Sequence, residues 1–355
     1  MSATKELASA GQSLWVDNIT RDLLDSGEIQ RFVNELSVTG LTSNPSIFDK
    51  AISGSSSYDA QIRTLAEQGR HGEDAFFALA IDDLRRAADI FRPVHKDSDG
   101  LDGWVSLEVS PVLADEADET ITAALELKAQ ADRENLFIKI PGTPAGLVAI
   151  EEAIAQGVHV NVTLLFSTEQ YLAAAEAYLK GLERRQAAGQ SLSIFSVASL
   201  FISRWDVAVV DQVPDELKNR LGIAVGAEAY GAYRSLVGTE RVQRLLEAGA
   251  PVQRLLFAST GTKDPEASDT LYVEALAAAE TINTMPDSTL LAYHEHGRFS
   301  GLLDGDGGDW REVFTGVAEA GIDRGALAAR LQEEGKASFV SAWNELLHSI
   351  DVKAR

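Results

Sequence analysis

The chain of 355 residues has no cysteine. That absence excludes thiolate nucleophiles, zinc–thiolate centres, iron–sulfur clusters and disulfides, and it fits a reducing compartment. Long apolar runs are missing as well. No stretch approaches the length of a membrane span, and the opening MSATKELASAGQSLW holds no hydrophobic segment of the secretory type. The expectation is a soluble, cytoplasmic protein with no membrane partner. Positive charge is scarce, with 31 Lys and Arg against 54 Asp and Glu and a formal net charge of -23. The acidic residues are spread along helix-like stretches such as ADEADET at 114–120, not gathered into a tail. Such a surface repels nucleic acid and anionic membranes, and it repels phosphorylated substrates unless a local group of cations overrides the field. The few well-placed basic residues therefore matter more than their number suggests. No G-x-G-x-x-G follows the first apolar run and no Walker loop occurs, which removes the main sequence support for an open dinucleotide-binding sheet.

What is present is enough apolar material, 45% of the residues, to bury a full core. Short apolar runs bounded by turn residues predict strands at 14–19, 37–44, 104–110, 136–140, 158–166, 192–199, 254–260 and, weakly, 281–285. Helical patterns lie between them, around 28–35, at 75–91, 115–133, 145–156 and 168–186, and again after 201, 225 and 267. This alternation predicts parallel strands joined by helical crossovers. Eight units in one chain favour a closed (β/α)8 TIM barrel with additional helices over an open sheet. Residues 1–300 would form the barrel, and 301–355 a C-terminal helical extension packed on it. The segment 46–72, with its SGSSS, reads as an exposed insertion.

One lysine, Lys139, stands inside the apolar run LFIKIPGTP at 136–144. Nothing in the neighbouring sequence pairs it. Burial disfavours an ammonium, and a neutral amine attacks a carbonyl to form a Schiff base. Two other readings stay open: the side chain snorkels into water, or it meets a carboxylate from elsewhere. Barrel enzymes build their chemistry at the C-terminal ends of strands. The polar residues there are Asp17, Asn44, Glu108, Lys139, Asn161, Thr163 and Ser199, with Asn161 and Thr163 on one face of their strand.

Each has an ordinary explanation. Asp17 could cap a helix starting near Ile19 or Thr20, Glu108 could neutralise a lysine on a neighbouring strand, Asn44-Pro45 is a common turn, and Thr163 is a good strand former. Taken separately, these leave unexplained why successive strands each carry one polar group. For an anion, Ser199 would lie just ahead of a helix starting near Phe201, Arg204 a turn further on, and Lys263 in the loop ASTGTKDP. A surface ion pair with Asp206 or Asp211 is the alternative for Arg204. No metal site is expected. His294-Glu295-His296 lacks the spacing of a zinc pair on one helical face, and DGDGGD at 304–309 has Asp309 and Thr315 where a calcium loop needs glycine and glutamate.

The stretches LWVDNITRDLL, VTGLTSNPSIF, VSLEVSP, NLFIKIPGTPAG, VNVTLLFS, SVASLFISRWD and FASTGTKDP closely resemble the transaldolases. The resemblance implies a (β/α)8 barrel of the non-oxidative pentose phosphate pathway that needs no metal or organic cofactor. It would move a dihydroxyacetone unit from a ketose phosphate to an aldose phosphate, with sugar phosphates as its small-molecule partners. Lys139 would be the Schiff-base lysine, Asp17 the carboxylate acting on the C4 hydroxyl, and Glu108 a carboxylate working through a water beside Thr163. Asn44 and Asn161 would bind substrate, and Ser199 and Arg204 the phosphate. Lys263 stands where shorter members use arginine; with the Pro-Gly-Thr-Pro after the lysine and the longer C-terminus, it points to a longer bacterial and plant branch. An aldolase releasing free dihydroxyacetone, and a non-catalytic sugar-phosphate-binding protein, are the alternatives.

Overall fold

Eight parallel strands close into a barrel in which each pairs with its sequence neighbours and the last with the first. The computed structural model describes residues 2–355. The strands are β1 (Ser13–Asp17), β2 (Val38–Thr42), β3 (Trp104–Glu108), β4 (Leu136–Pro141), β5 (Val160–Leu165), β6 (Ser196–Phe201), β7 (Arg254–Ala258) and β8 (Ile282–Met285). All eight expected strands are found, most of them trimmed. The largest displacement is at β6, whose pairing with both neighbours starts at Ser196 and Val197, so Leu192 and Ile194 are buried ahead of the strand and not in it.

Helices surround the sheet: α1 (Ala3–Ser9), α2 (Arg21–Asp25), α3 (Glu28–Leu36), α4 (Pro45–Gly54), α5 (Asp59–Glu67), α6 (Gly72–Asp97), α7 (Ala117–Ala131) and α8 (Pro144–Ala155). They continue as α9 (Thr168–Ala187), α10 (Ser203–Val209), α11 (Leu221–Val237), α12 (Glu240–Glu247), α13 (Leu271–Ala275), α14 (Asp287–His296), α15 (Arg311–Glu319) and α16 (Arg324–Lys353). The segment expected to be an exposed insertion is largely α4 and α5. Phe48, Ala51, Ile52, Ile62 and Leu65 bury one face of these helices, while the opposite face, with Lys50, Arg63 and Glu67, and the turn around SGSSS are at the surface. The serines masked an amphipathic pattern on either side of them.

The barrel interior is layered. Trp15, Trp104 and Phe137 fill its middle with Val197, Leu256 and Ile282, and the Trp104 and Phe137 rings stack 4.1 Å apart. The opposing position on β2 is Gly40, where a Cβ would stand 2.7 Å from the Trp15 ring and 2.8 Å from the Trp104 carbonyl. Gly40→Ala is therefore expected to cost about 1–3 kcal/mol through overpacking. A melting temperature equal to that of the wild type would show that the rings move aside. Beneath this plug, buried Arg254 donates to Ser13 Oγ (2.6 Å) and the Thr281 carbonyl (2.8 Å) and pairs with Asp102 (3.3 Å). Above it, at the C-terminal ends of the strands, the interior turns polar.

The long helix α16 lies across that polar end. Its buried Gln332 donates to the carbonyls of Gly142 (3.1 Å) and Leu164 (2.9 Å), just after β4 and near the end of β5. Trp343 packs edge-on against Phe76, Lys336 pairs with Asp115, Ser349 donates to Asp49, and Lys353 pairs with Asp59. These ties attach α16 to the segments that follow β2, β3 and β4 and to the end of β5 itself.

Candidate active site

Strand register sets the centre of the site. Glu108 on β3 pairs with Lys139 on β4, and Lys139 with Asn161 on β5, so three polar side chains stand abreast. Phe137, two residues before Lys139 on the same face, belongs to the aromatic plug, while Ile138 and Ile140 turn outward into the helix-facing core. Lys139 is buried, but it does not lack a partner. Its Nζ lies 3.1 Å from Glu108 Oε2 and donates to the Ser43 carbonyl at 2.9 Å. Of the readings left open, it is the one in which Lys139 meets a carboxylate from elsewhere that holds: the partner lies on the adjacent strand, thirty-one positions away in sequence. Both Glu108 oxygens and the Thr163 hydroxyl are buried without a well-aligned hydrogen bond.

Burial raises the Glu108 carboxyl above its ordinary value; the Lys139 ammonium opposes that rise and the Asp17 charge adds to it. Asp17 is raised too, first by desolvation, with Lys139, a hydrogen bond from Thr42 and Lys263 working against the rise. Thr42 Oγ1 donates to Asp17 Oδ1 at 2.6 Å and lies 2.7 Å from Thr284 Oγ1. Asp17 caps no helix. That role belongs to Thr20, which accepts from Leu23 N–H. Asn44 caps α4 by accepting from Ile47 N–H (3.1 Å), and it also lines the cavity.

The cavity above Lys139 encloses about 700 Å³ and is lined by Asp17, Asn44, Lys139, Thr163, Ser199, Arg204 and Lys263, among others. Glu108 and Asn161 lie outside this lining, beside Lys139 on their strands. Asn161 is fully buried, donating to Ser106 Oγ (3.2 Å) and accepting from Ser199 Oγ (2.7 Å). Ser199 does not precede a helix as expected; it is inside β6, and α10 starts only at Ser203. Arg204 has no ion pair with Asp206 or Asp211. Asp206 instead accepts from Leu221 N–H, Gly222 N–H and the Tyr272 hydroxyl, and burial pushes its carboxyl up to about 6. The Lys263 ammonium is disfavoured by desolvation and then by repulsion from Arg204 and Lys50.

Several lining residues were not found in the sequence. Thr42 and Thr284 support Asp17, Lys50 faces in from α4, and Ser338, Phe339, Ser341 and Glu345 come from α16. Thr42 stands in the same TSN stretch as Asn44 and could have been collected with it. Nothing in the helical pattern of 324–353 signals that one of its faces closes a cavity. Among the described residues no group of three or more His, Cys, Asp or Glu is placed to hold a metal ion.

An amine beside carboxylates at the C-terminal mouth of a (β/α)8 barrel, under a cavity with a cationic wall, can condense with the carbonyl of an anionic substrate. Comparison with known proteins gives the class a family. The profile described as Transaldolase/Fructose-6-phosphate aldolase matches residues 14–350. The chain is 46% identical to a protein named transaldolase from Mycobacterium tuberculosis over 351 residues, covering 96% of this chain and 94% of that relative. It is 44% identical over 350 residues to a transaldolase from Mycolicibacterium smegmatis, with the same shares covered. The chain belongs to the transaldolase/fructose-6-phosphate aldolase family and is a transferase of the transaldolase type. The family match runs through most of α16, so the helix over the cavity lies within the matched region.

Proposed function

We propose that this transaldolase works through Lys139 as its Schiff-base lysine, on sugar phosphates of the pentose phosphate pathway. The observation that carries the reading is the buried contact between Lys139 and Glu108, with Asp17 on the same cavity and the cations set apart in its wall. Lys139 hands its proton to Glu108, whose burial favours the neutral acid. The freed amine attacks C2 of fructose 6-phosphate or sedoheptulose 7-phosphate, and the proton returns as the carbinolamine loses water. Thr163, its hydroxyl unengaged by protein, exchanges protons with Glu108 and the leaving water. Asp17 then takes the proton of the C4 hydroxyl. The C3–C4 electrons flow to the iminium nitrogen, leaving an enamine, and an aldose phosphate departs. The enamine adds to a second aldose, glyceraldehyde 3-phosphate or erythrose 4-phosphate, and hydrolysis frees Lys139.

Ser199, Arg204 and Lys263 hold the phosphate, and Asn44 and Asn161 fix the sugar hydroxyls directly or through the Asn161–Ser199 hydrogen bond. No step calls on a metal or an organic cofactor. Residues 1–300 form the catalytic barrel in this reading, and 301–355 complete its cavity. Among the described residues no helix is long and apolar enough to cross a membrane.

Release of free dihydroxyacetone separates transfer from aldol cleavage. With fructose 6-phosphate alone, slow turnover is expected, and addition of erythrose 4-phosphate should raise ketose consumption strongly and yield sedoheptulose 7-phosphate. Equal consumption with and without acceptor, accompanied by stoichiometric dihydroxyacetone, would instead identify an aldolase.

A further inference from the structure

In a chain with 54 acidic residues and 31 basic ones, an unpaired cation facing a cavity is informative. Among the described residues three occur at this site, and none of the three forms an ion pair with a carboxylate: Arg204 on α10, Lys263 in the loop after β7, and Lys50 on α4. Arg204 and Lys263 already have a role. Lys50 does not, although it is close enough for its charge to disfavour the Lys263 ammonium, as does that of Arg204. The helix carrying it is firmly set: Asn44 caps the first turn of α4, Phe48 and Ile52 bury its inner face, and Asp49 accepts from Ser349 of α16. Lys50 itself is exposed at the cavity mouth. Three like charges brought together by separate βα segments repel one another, a cost that a bound dianion relieves.

We propose that Lys50 is a third phosphate-binding cation, reaching in from α4 on the side of the mouth closed by α16, and that it sets the preference for phosphorylated over unphosphorylated sugars. The inference rests on the transaldolase reading given above. Glu345 of α16 lines the same cavity but forms no ion pair with Lys50, its Oε1 lying 3.4 Å from Ser341 Oγ. Its carboxylate, with those of Asp17 and Asp287, discourages an anion from settling elsewhere on the cavity wall.

The test is Lys50→Met, at a surface position where the methylene stem is retained. The ratio of kcat/KM for fructose 6-phosphate to that for fructose is expected to fall by about five- to tenfold, the size of one partly exposed charge-assisted contact. The inhibition constant of inorganic phosphate should rise by a similar factor, both effects should shrink as ionic strength rises, and Lys50→Arg should restore most of the loss. An unchanged phosphate inhibition constant, or equal losses on the two sugars, overturns the proposal. Borohydride trapping on the wild-type protein with fructose 6-phosphate is run alongside. Failure to trap an adduct there defeats the Schiff-base reading itself, whereas an adduct together with an unchanged inhibition constant in Lys50→Met defeats only the role of Lys50.

Discussion

Lys139→Met is expected to leave a folded protein with no measurable transfer activity and no adduct after borohydride treatment with fructose 6-phosphate. In the wild type the same treatment should reduce the iminium to a stable secondary amine, and peptide mapping should place the added mass on Lys139. The loss is total because the alternative routes also need that nitrogen: neither Glu108 nor Asp17 can supply an electron sink for cleavage of a carbon–carbon bond. Removing one member of a buried ion pair ordinarily strands the other charge at a cost of about 3–5 kcal/mol. Here the stranded group is Glu108, whose burial already favours the protonated form, so the variant neutralises its remaining partner. Methionine also keeps most of the volume of the lysine stem between Phe137 and the cavity. Circular dichroism and a melting curve check the fold. A trapped adduct on another lysine, or activity remaining in a folded Lys139→Met, would remove Lys139 from the mechanism.

The sequence carried the strand count because each strand is buried on both faces and stands out as a short apolar run between turn residues. It also carried the polar residues at the strand ends, since one hydrophile in such a run is conspicuous. What it could not carry was the pairing between them. Whether Lys139 is solitary or matched depends on the register of β3 against β4, which puts Glu108 directly beside it. Lys50 and the α16 residues were hidden for a different reason. They lie on amphipathic helices, where an outward polar residue is the normal pattern, and only the docking of α16 along α4 turns that outside into a cavity wall. Ser199 shows the converse. Its place at a strand end is legible and holds, but the anion-binding role rests on a helix start near Phe201 that the chain puts further on, and the strand itself presents Ser199 to Asn161.

Asp17→Asn is the other substitution with a large expected effect, and it separates two steps that Lys139 joins. Asparagine keeps the hydrogen bond from Thr42 but cannot accept the C4 hydroxyl proton, so turnover should fall by about 10²–10⁴-fold. Schiff-base formation, assigned to Lys139 and Glu108, should survive. Borohydride should then trap the intact six-carbon phosphorylated donor in the variant, where the wild type yields mainly the three-carbon unit left after cleavage. Mass spectrometry of the labelled protein distinguishes these outcomes, and loss of both adducts would move Asp17 to imine formation. Stability supplies a second reading of the same change. Because the fold raises the Asp17 carboxyl above 3.8, the native state binds more protons than the unfolded chain between that value and the raised one. Ionised Asp17 therefore lowers stability, a penalty absent in acid that grows as pH rises through that interval. Relative to the wild type, Asp17→Asn should melt higher at pH 8 than at pH 4. The opposite trend would mean that Lys139 and Lys263 outweigh desolvation, making Asp17 an ion-pair partner that the fold prefers charged.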